Sequence, residues 1–228
     1  MKKGIFMTGT DTGVGKTFLS AGLISALKEK GFSVCPMKPV ETGCKILKGE
    51  LVPEDALKLV KAAGVSEPLD LVNPYRFKHP LAPSVAAELE GAKTGKRKII
   101  AAYNKLSAGY DIMIVEGAGG IMVPIYNKYL YLDLIRDLAL PVVIISRPGL
   151  GTINHTLLTI EAARNRGIDI TGVIINYTAR HGKDISMKTN PRVIEKLTGT
   201  PVLGVVPYMK NFRIKIFKDL AAGILSRL

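Results

Sequence analysis

Short apolar runs alternate with longer amphipathic stretches along almost the whole chain. The apolar runs have the length of buried strands, and the longer stretches have the spacing of helices that bury one face. This alternation is typical of a mostly parallel sheet with helices on both faces, and we therefore predict an α/β fold. The predicted strands are Gly4 to Met7, Phe32 to Pro36, Tyr110 to Val115, Pro141 to Ser146, Thr171 to Asn176 and Val202 to Val206.

The amphipathic stretches predict the helices that cover this sheet. No internal repeat, low-complexity tract or linker interrupts the alternation, and 228 residues suit one sizeable domain better than two. We therefore expect a single domain over residues 1–228. The predicted helices are Lys16 to Lys30, Glu54 to Ala63, Ser84 to Leu89, Ile99 to Ser107, Tyr131 to Leu138, Ile153 to Asn165, Pro191 to Leu197 and Lys218 to Ser226.

The formal net charge of +13 raises the question of nucleic-acid binding. The basic residues are scattered over predicted helices, and the densest runs, Lys93 to Lys98 and Lys210 to Lys218, show no recognition-helix pattern. We interpret the charge as a solvated basic surface that attracts small anionic substrates, and we expect no nucleic-acid partner. A nucleic-acid-binding module is an alternative supported by charge alone.

The composition also indicates where in the cell the protein is expected. No apolar run approaches the roughly 18 residues of a membrane span, and the apolar segment after Met1 is too short for a signal peptide. Cys35 and Cys44 are too few for a disulfide framework or a zinc site. We expect a cytoplasmic protein with ordinary thiols and no membrane partner.

Residues 9–17 have the sequence Gly-Thr-Asp-Thr-Gly-Val-Gly-Lys-Thr, between the first predicted strand and the first predicted helix. This is the context of a phosphate-binding P-loop, in which glycines let backbone N–H groups face an anion at a helix N-terminus. Lys16 then reaches the β- and γ-phosphates, and the Thr17 hydroxyl binds magnesium. We predict a P-loop NTPase-like fold; the alternative is a strand-to-helix turn whose glycines serve geometry alone.

Other polar residues follow predicted strands at the sheet edge where ligands bind. Glu116 ends the run Tyr110 to Val115, as the acidic residue that holds magnesium does in P-loop proteins. A buried strand end rarely carries an unpaired charge, so we favour a magnesium role over a carboxylate that caps the next turn. Lys38, between Pro36 and Pro39, either stabilises a transferred phosphoryl group or is a surface lysine.

Two further positions stay open when the residues are considered alone. Thr42, before Gly43, either donates a hydrogen bond to an oxyanion or belongs to a turn. Asp55 lies at the front of a predicted helix, where a favourable charge at the helix N-terminus explains it equally well.

Five segments, in this order and spacing, resemble the dethiobiotin synthetase family of biotin biosynthesis. The resemblance covers about Met1 to Tyr208 and accounts for the P-loop spacing, in which Thr10 stands where the common pattern has its first glycine. The five segments are residues 9–17, Lys38-Pro39-Val40-Glu41-Thr42-Gly43, Glu54-Asp55-Ala56, Glu116-Gly117-Ala118-Gly119-Gly120 and Leu150-Gly151-Thr152-Ile153-Asn154-His155.

The resemblance implies an ATP- and magnesium-dependent ligase that closes a ureido ring on 7,8-diaminopelargonic acid with carbon dioxide, giving dethiobiotin, ADP and phosphate. One substrate amine becomes a carbamate, and the carbamate oxygen attacks the γ-phosphate to form a mixed carbamic–phosphoric anhydride. The neighbouring amine then displaces phosphate. The substrate supplies the nucleophiles, so the protein's task is positioning and neutralising charge.

The resemblance also implies roles for individual residues. Thr17, Asp55 and Glu116 correspond to the magnesium site, and Lys16 and Lys38 to the cations around the γ-phosphate and the carbamate. The residues that correspond to nucleotide contacts are Thr12, Gly13, Val14, Gly15, Lys16, Thr17, Phe18, Asp55, Glu116, Gly117, Ala118, Gly119, Asn176 and Pro207.

Asn176 corresponds to the residue that reads adenine, and Pro207 to the other wall of that pocket. The substrate contacts are implied for Thr42 and, from across a homodimer interface, for a helix N-terminus. The residues at that N-terminus are Gly151, Thr152 and Asn154. A symmetric homodimer with shared active sites is therefore implied.

The match has three departures and leaves two enzyme-class alternatives. Gly13 stands where some members carry Glu, Ser84 stands where many carry His, and the stretch beyond Met209 does not align. A nucleotide-switched ATPase of the partitioning or metal-cluster-carrier type usually carries an extra lysine early in the P-loop, which the stretch Thr8-Gly9-Thr10-Asp11 lacks. An amidotransferase-linked synthetase of the cobyric acid kind needs a further glutaminase domain, for which we expect no room.

Overall fold

A computed structural model describes residues 4–180, 185–209 and 212–228. It contains one large sheet and three small two-stranded sheets. The strands are β1 (Gly4–Gly9), β2 (Val34–Met37), β3 (Val40–Glu41), β4 (Lys45–Leu47), β5 (Glu50–Val52), β6 (Tyr75–Arg76), β7 (Ile112–Gly120), β8 (Pro124–Tyr126), β9 (Tyr129–Leu130), β10 (Val142–Ser146), β11 (Ile170–Asn176) and β12 (Val202–Val206). The helices are α1 (Lys16–Glu29), α2 (Glu54–Ala63), α3 (Leu69–Val72), α4 (Pro83–Leu89), α5 (Lys96–Ser107), α6 (Tyr131–Leu138), α7 (Thr152–Arg164), α8 (Ile185–Thr198) and α9 (Ile214–Leu225).

The large sheet has six strands in the order β12-β11-β10-β1-β7-β2, and all of its pairs are parallel. The six predicted strands are the members of this sheet. Their carboxyl ends therefore lie at one edge, with the end of β1 between the ends of β10 and β7. Ligands of such sheets bind at this edge.

Helices cover both faces of the sheet, as the alternation of apolar and polar segments predicts. Alternate strand residues enter different cores: Phe6 packs with residues of α5, α6 and α7, whereas Ile5 and Met7 pack with residues of α1, α2 and α9. All three side chains are at most 1% exposed. Burial on both faces explains why the strands are nearly continuous apolar runs.

Several predicted boundaries are wrong. Strand β7 continues through Glu116 to Gly120, because Gly120 pairs with Gly9 of β1. Helix α8 contains Pro191 in its interior instead of starting there, and the buried Asn190 side chain anchors this part by donating to the Pro148 carbonyl at 2.8 Å. Helices α5 and α9 begin earlier than predicted, at Lys96 and Ile214.

Short elements beside the large sheet were not predicted. Strands β3 and β6 form a parallel pair, β4 and β5 form a hairpin, and β8 and β9 form an antiparallel pair. These strands are two or three residues long, too short for an alternating pattern to indicate them. Within the described ranges, no helix is both long and apolar enough to cross a membrane.

Candidate active site

The P-loop connects the end of β1 to the start of α1. Gly13 and Gly15 have φ values of 75° and 90°, in the left-handed region that favours glycine. The Lys16 side chain folds back over the loop, and its Nζ donates to the Asp11 carbonyl at 3.1 Å. Two glycines at positive φ beside a helix start give this segment the backbone geometry that a phosphate-binding loop requires.

Asn176, at the end of β11, packs against the P-loop. Its Nδ2 donates to the Val14 carbonyl at 2.9 Å, and a Cβ on Gly15 would lie 2.2 Å from the same nitrogen. The Asn176 side chain is buried, and its Oδ1 has no hydrogen-bond partner among the described residues. Pro207 follows Val206, the β12 residue paired with Asn176, and is exposed. These two predicted base contacts therefore lie at neighbouring strand ends.

The Glu116 side chain connects the P-loop to Lys38 through hydrogen bonds. This side chain is fully buried, and its Oε1 accepts hydrogen bonds from Thr17 Oγ1 at 2.8 Å and from Lys38 Nζ at 2.6 Å. Lys38 Nζ also donates to the Gly117 carbonyl at 3.3 Å. Lys38 is only 3% exposed, which excludes the alternative of a surface lysine.

Asp55, in the first turn of α2, completes this cluster. Its Oδ2 lies 3.4 Å from Lys38 Nζ, and its side chain is 37% exposed toward the cleft. Thr17, Asp55 and Glu116 are thus linked through Lys38 and through one Glu116 oxygen. The segments that carry them are distant in sequence, and the sheet edge brings them together.

The cluster has the chemistry of a magnesium site completed by a nucleotide. Glu116 Oε2 is buried without a hydrogen-bond partner among the described residues. No group of three or more His, Cys, Asp or Glu side chains that could hold a metal occurs in the described ranges. Mg²⁺ typically takes one or two carboxylates together with phosphate oxygens and waters, so the two carboxylates and the Thr17 hydroxyl fit it.

The two lysines differ in electrostatics although they share one cleft. Burial, followed by the positive charge of Lys38, lowers the pKa of Lys16 to about 8. Burial alone would lower the pKa of Lys38 too, but the carboxylates of Glu116 and Asp55 outweigh it and raise that pKa above its usual value. Lys38 is therefore held as a cation by its carboxylate partners, whereas burial and Lys38 outweigh the more distant carboxylates at Lys16, whose positive charge a bound anion would stabilise.

A cleft of about 690 Å³ opens over these residues. Thr42 lines its far side together with residues of the segment from Pro80 to Pro83, and Ser84 is not among the lining residues. The predicted site residues that line the cleft are Thr12, Gly13, Gly15, Lys16, Thr17, Phe18, Lys38, Thr42, Asp55, Ala118 and Gly119.

The predicted substrate contacts at the second helix N-terminus lie elsewhere. Gly151, Thr152 and Asn154 at the start of α7 are not among the residues that line the cleft. Thr152 is fully buried with its Oγ1 unpartnered among the described residues, and Asn154 is exposed. This part of the predicted site is not assembled with the rest within one chain.

Sequence reasoning missed two buried polar residues beside the cleft. The Asn73 amide Nδ2 donates to the Lys38 carbonyl at 2.7 Å, and the Glu41 carboxylate accepts from the backbone N–H groups of Asp55 and Ala56. Their partners are 35 and up to 15 residues away in sequence, beyond any local pattern. The one available signal was the position of Glu41 in the segment from Lys38 to Gly43, between two predicted site residues.

The sequence and the fold both resemble known proteins. Residues 3–213 match the sequence model of a family described as AAA domain. The ATP-dependent dethiobiotin synthetase BioD of Thermodesulfovibrio yellowstonii is 43% identical over 92% of this chain and 90% of its own length. Those of Methanocaldococcus jannaschii and Aquifex aeolicus are each 43% identical, over 95% and 96% of this chain and 99% and 94% of their own lengths.

Among solved structures, the fold resembles P-loop ATPases of cell division and plasmid partition. The cell division ATPase MinD of Pyrococcus furiosus superposes with a TM-score of 0.58 at 16% identity, covering 99% of each chain. ParA of pNOB8 gives a TM-score of 0.62 at 12% identity, covering 100% of this chain and 98% of its own. At these identities the likeness concerns the fold, and it confirms the predicted P-loop NTPase-like architecture.

Proposed function

This chain belongs to the ATP-dependent dethiobiotin synthetase family, and from that premise we propose how its cleft performs the reaction. The protein is an ATP-dependent ligase that forms carbon–nitrogen bonds and makes dethiobiotin from small-molecule substrates. The family and the activity expected from the five sequence segments are thus confirmed. The assignment favours a synthetase over the nucleotide-switched ATPase with the same fold.

We propose that the P-loop holds ATP with its γ-phosphate facing Lys38. One observation carries this proposal: Thr17 of α1 and Lys38, which directly follows β2, donate to the same oxygen of Glu116. The γ-phosphoryl group of ATP bound in the P-loop would therefore meet Lys38 as a second buried cation besides Lys16. Bound magnesium would be held by Thr17, Asp55 and Glu116 and would supply charge neutralisation on the phosphates.

In the proposed reaction, a substrate amine attacks carbon dioxide and loses a proton, giving a carbamate beside Lys38. A carbamate oxygen then attacks the γ-phosphorus, and the bond from that phosphorus to the ADP oxygen breaks. The second amine attacks the carbamoyl carbon, expels phosphate and loses a proton as the ring closes. Lys16 and Lys38 bind the oxygens on which negative charge accumulates, and Thr42 donates to the substrate from the far side of the cleft.

The same proposal includes the binding site for the adenine base and a homodimeric assembly. Asn176 offers its unpartnered Oδ1 to an amino group, which suits adenine, whose amino group donates at the position where guanine carries an acceptor. The start of α7 lies outside the chain's own cleft, which supports a homodimer in which the exposed Gly151 and Asn154 at this helix start serve the partner's site, with the buried Thr152 behind them. Exposed Met122, Leu150 and Leu158 supply apolar surface for such an interface. Sedimentation of the protein as a monomer at micromolar concentration with ATP and diamine present would contradict the homodimer.

The activity is tested with the purified chain, ATP, magnesium, bicarbonate and 7,8-diaminopelargonic acid, with GTP as the comparison nucleotide. We expect dethiobiotin in the mass spectrum and one phosphate released per ring closed, with ATP the better substrate. Phosphate release that ignores the diamine and responds to DNA would instead support a nucleotide-switched ATPase.

A further inference from the structure

Helix α2 receives its N-terminal cap from a distant strand. The residue before the helix, Pro53, makes no side-chain hydrogen bond to the first turn. Instead, Glu41 Oε1 accepts from the Asp55 backbone N–H and Glu41 Oε2 from that of Ala56, both at 2.9 Å. A carboxylate here satisfies two free N–H donors and interacts favourably with the helix dipole.

Glu41 is itself held in place. It is 6% exposed and lies in β3, which pairs with β6, and its carbonyl accepts from the Phe77 backbone N–H at 2.9 Å. Its backbone is thus fixed by the small parallel sheet and its side chain by α2. The carboxylate connects two elements that line the same cleft.

The side chain of Asp55, in contrast, makes only long contacts with other side chains. Its carboxylate contacts Lys38 Nζ at 3.4 Å and Lys58 Nζ at 3.8 Å, both longer than a strong charged hydrogen bond. The position of this carboxylate therefore depends on the backbone at the start of α2. Glu41 binds that backbone at Asp55 itself.

We infer that Glu41 is a positioning residue, which holds the start of α2 so that the Asp55 carboxylate faces Lys38 and the magnesium site. The inference rests on the proposed function, because it assigns Glu41 an effect through Asp55 on metal binding. A residue that only stabilised α2 would change the unfolding midpoint and leave the metal affinity of the folded protein unaltered.

The test is direct titration with Mn²⁺, followed by EPR, of the full-length protein saturated with a nonhydrolysable ATP analogue. We expect Glu41→Ala to weaken Mn²⁺ binding by about 10-fold or more, as loss of a residue that supports a metal ligand typically does. Glu41→Gln, which keeps one acceptor oxygen, should weaken it less and covers the case in which Glu41→Ala does not fold. In the Asp55→Ala background, Glu41→Ala should add less than about a twofold change, since coupled sites are not additive.

Glu195→Gln is the matched control. This carboxylate also accepts a backbone N–H, that of Val202 at 2.8 Å, but between α8 and β12, away from the cleft, and its loss should leave Mn²⁺ affinity unchanged. Unaltered affinity in both Glu41 variants, with weakened affinity in Asp55→Ala, would overturn the inference and leave the magnesium assignment intact. Unaltered affinity in Asp55→Ala as well would overturn both.

Discussion

The two halves of the cleft are built in different ways. The phosphate half is one contiguous segment, residues 9–17, whose shape follows from glycines at positive φ and from the helix that starts after them. The half around Lys38 and Asp55 is assembled from separate segments and held by buried side chains, Glu41 and Asn73, that reach across the fold. Local backbone geometry makes the first half, and long-range hydrogen bonds make the second.

The largest expected loss of ATP affinity comes from Gly15→Ala, which disrupts the phosphate half of the cleft. Alanine there must adopt a φ of 90°, and its Cβ would lie 2.2 Å from Asn176 Nδ2. Strain of about 1–3 kcal/mol, added to this contact, should weaken ATP binding by about 100-fold, measured by calorimetry. Gly13→Ala is the control, because its φ is 75° and no atom lies within 4 Å of the added Cβ. Equal losses in both variants would mean that the Asn176 contact does not matter.

This contrast explains how much the sequence could reveal. The sequence predicts the P-loop and the start of α1 at Lys16, because the motif, the strand before it and the helix after it are all local; only the end of β1 differs, at Gly9 and not Met7. The position of Glu116 at the end of a buried strand predicts a magnesium role from the residues alone, whereas Lys38 and Asp55 stay open until the family resemblance is considered. Glu41 received no role, because its partners Asp55 and Ala56 are brought to it only by tertiary packing.

An intermediate effect is expected at Asn73 in the second half. Asn73→Ala removes the donor that Lys38 and Tyr75 carbonyls share, at a position with no solvent exposure. An unsatisfied buried acceptor costs about 1–3 kcal/mol, so the free energy of unfolding in urea should fall by at least that amount.

Turnover should also fall more than ATP affinity in Asn73→Ala, because the backbone of Lys38 is no longer fixed. Ser107→Ala, which removes an exposed hydroxyl bonded to a carbonyl, is the control and should change stability by less than about 0.5 kcal/mol. Unchanged stability in Asn73→Ala would show that other contacts hold this half.

The smallest effect is expected in the hairpin of β4 and β5, which lies in sequence between Glu41 and Asp55. Ile46 is 58% exposed, so Ile46→Thr should change the free energy of unfolding by less than about 0.5 kcal/mol and leave dethiobiotin formation unchanged. A tenfold loss of turnover in this variant would show that the hairpin also belongs to the half of the site around Lys38 and Asp55.

The most direct test of the division between the halves compares Lys16 with Lys38, by ATP affinity and turnover measured on the same preparations. Lys16→Ala should weaken ATP binding. Lys38→Ala, and Lys38→Gln, which keeps a donor toward Glu116, should lower turnover by about 100-fold or more while ATP affinity changes by less than about threefold. Equal losses of ATP affinity and turnover in the Lys38 variants would contradict the account and make Lys38 a nucleotide-binding residue.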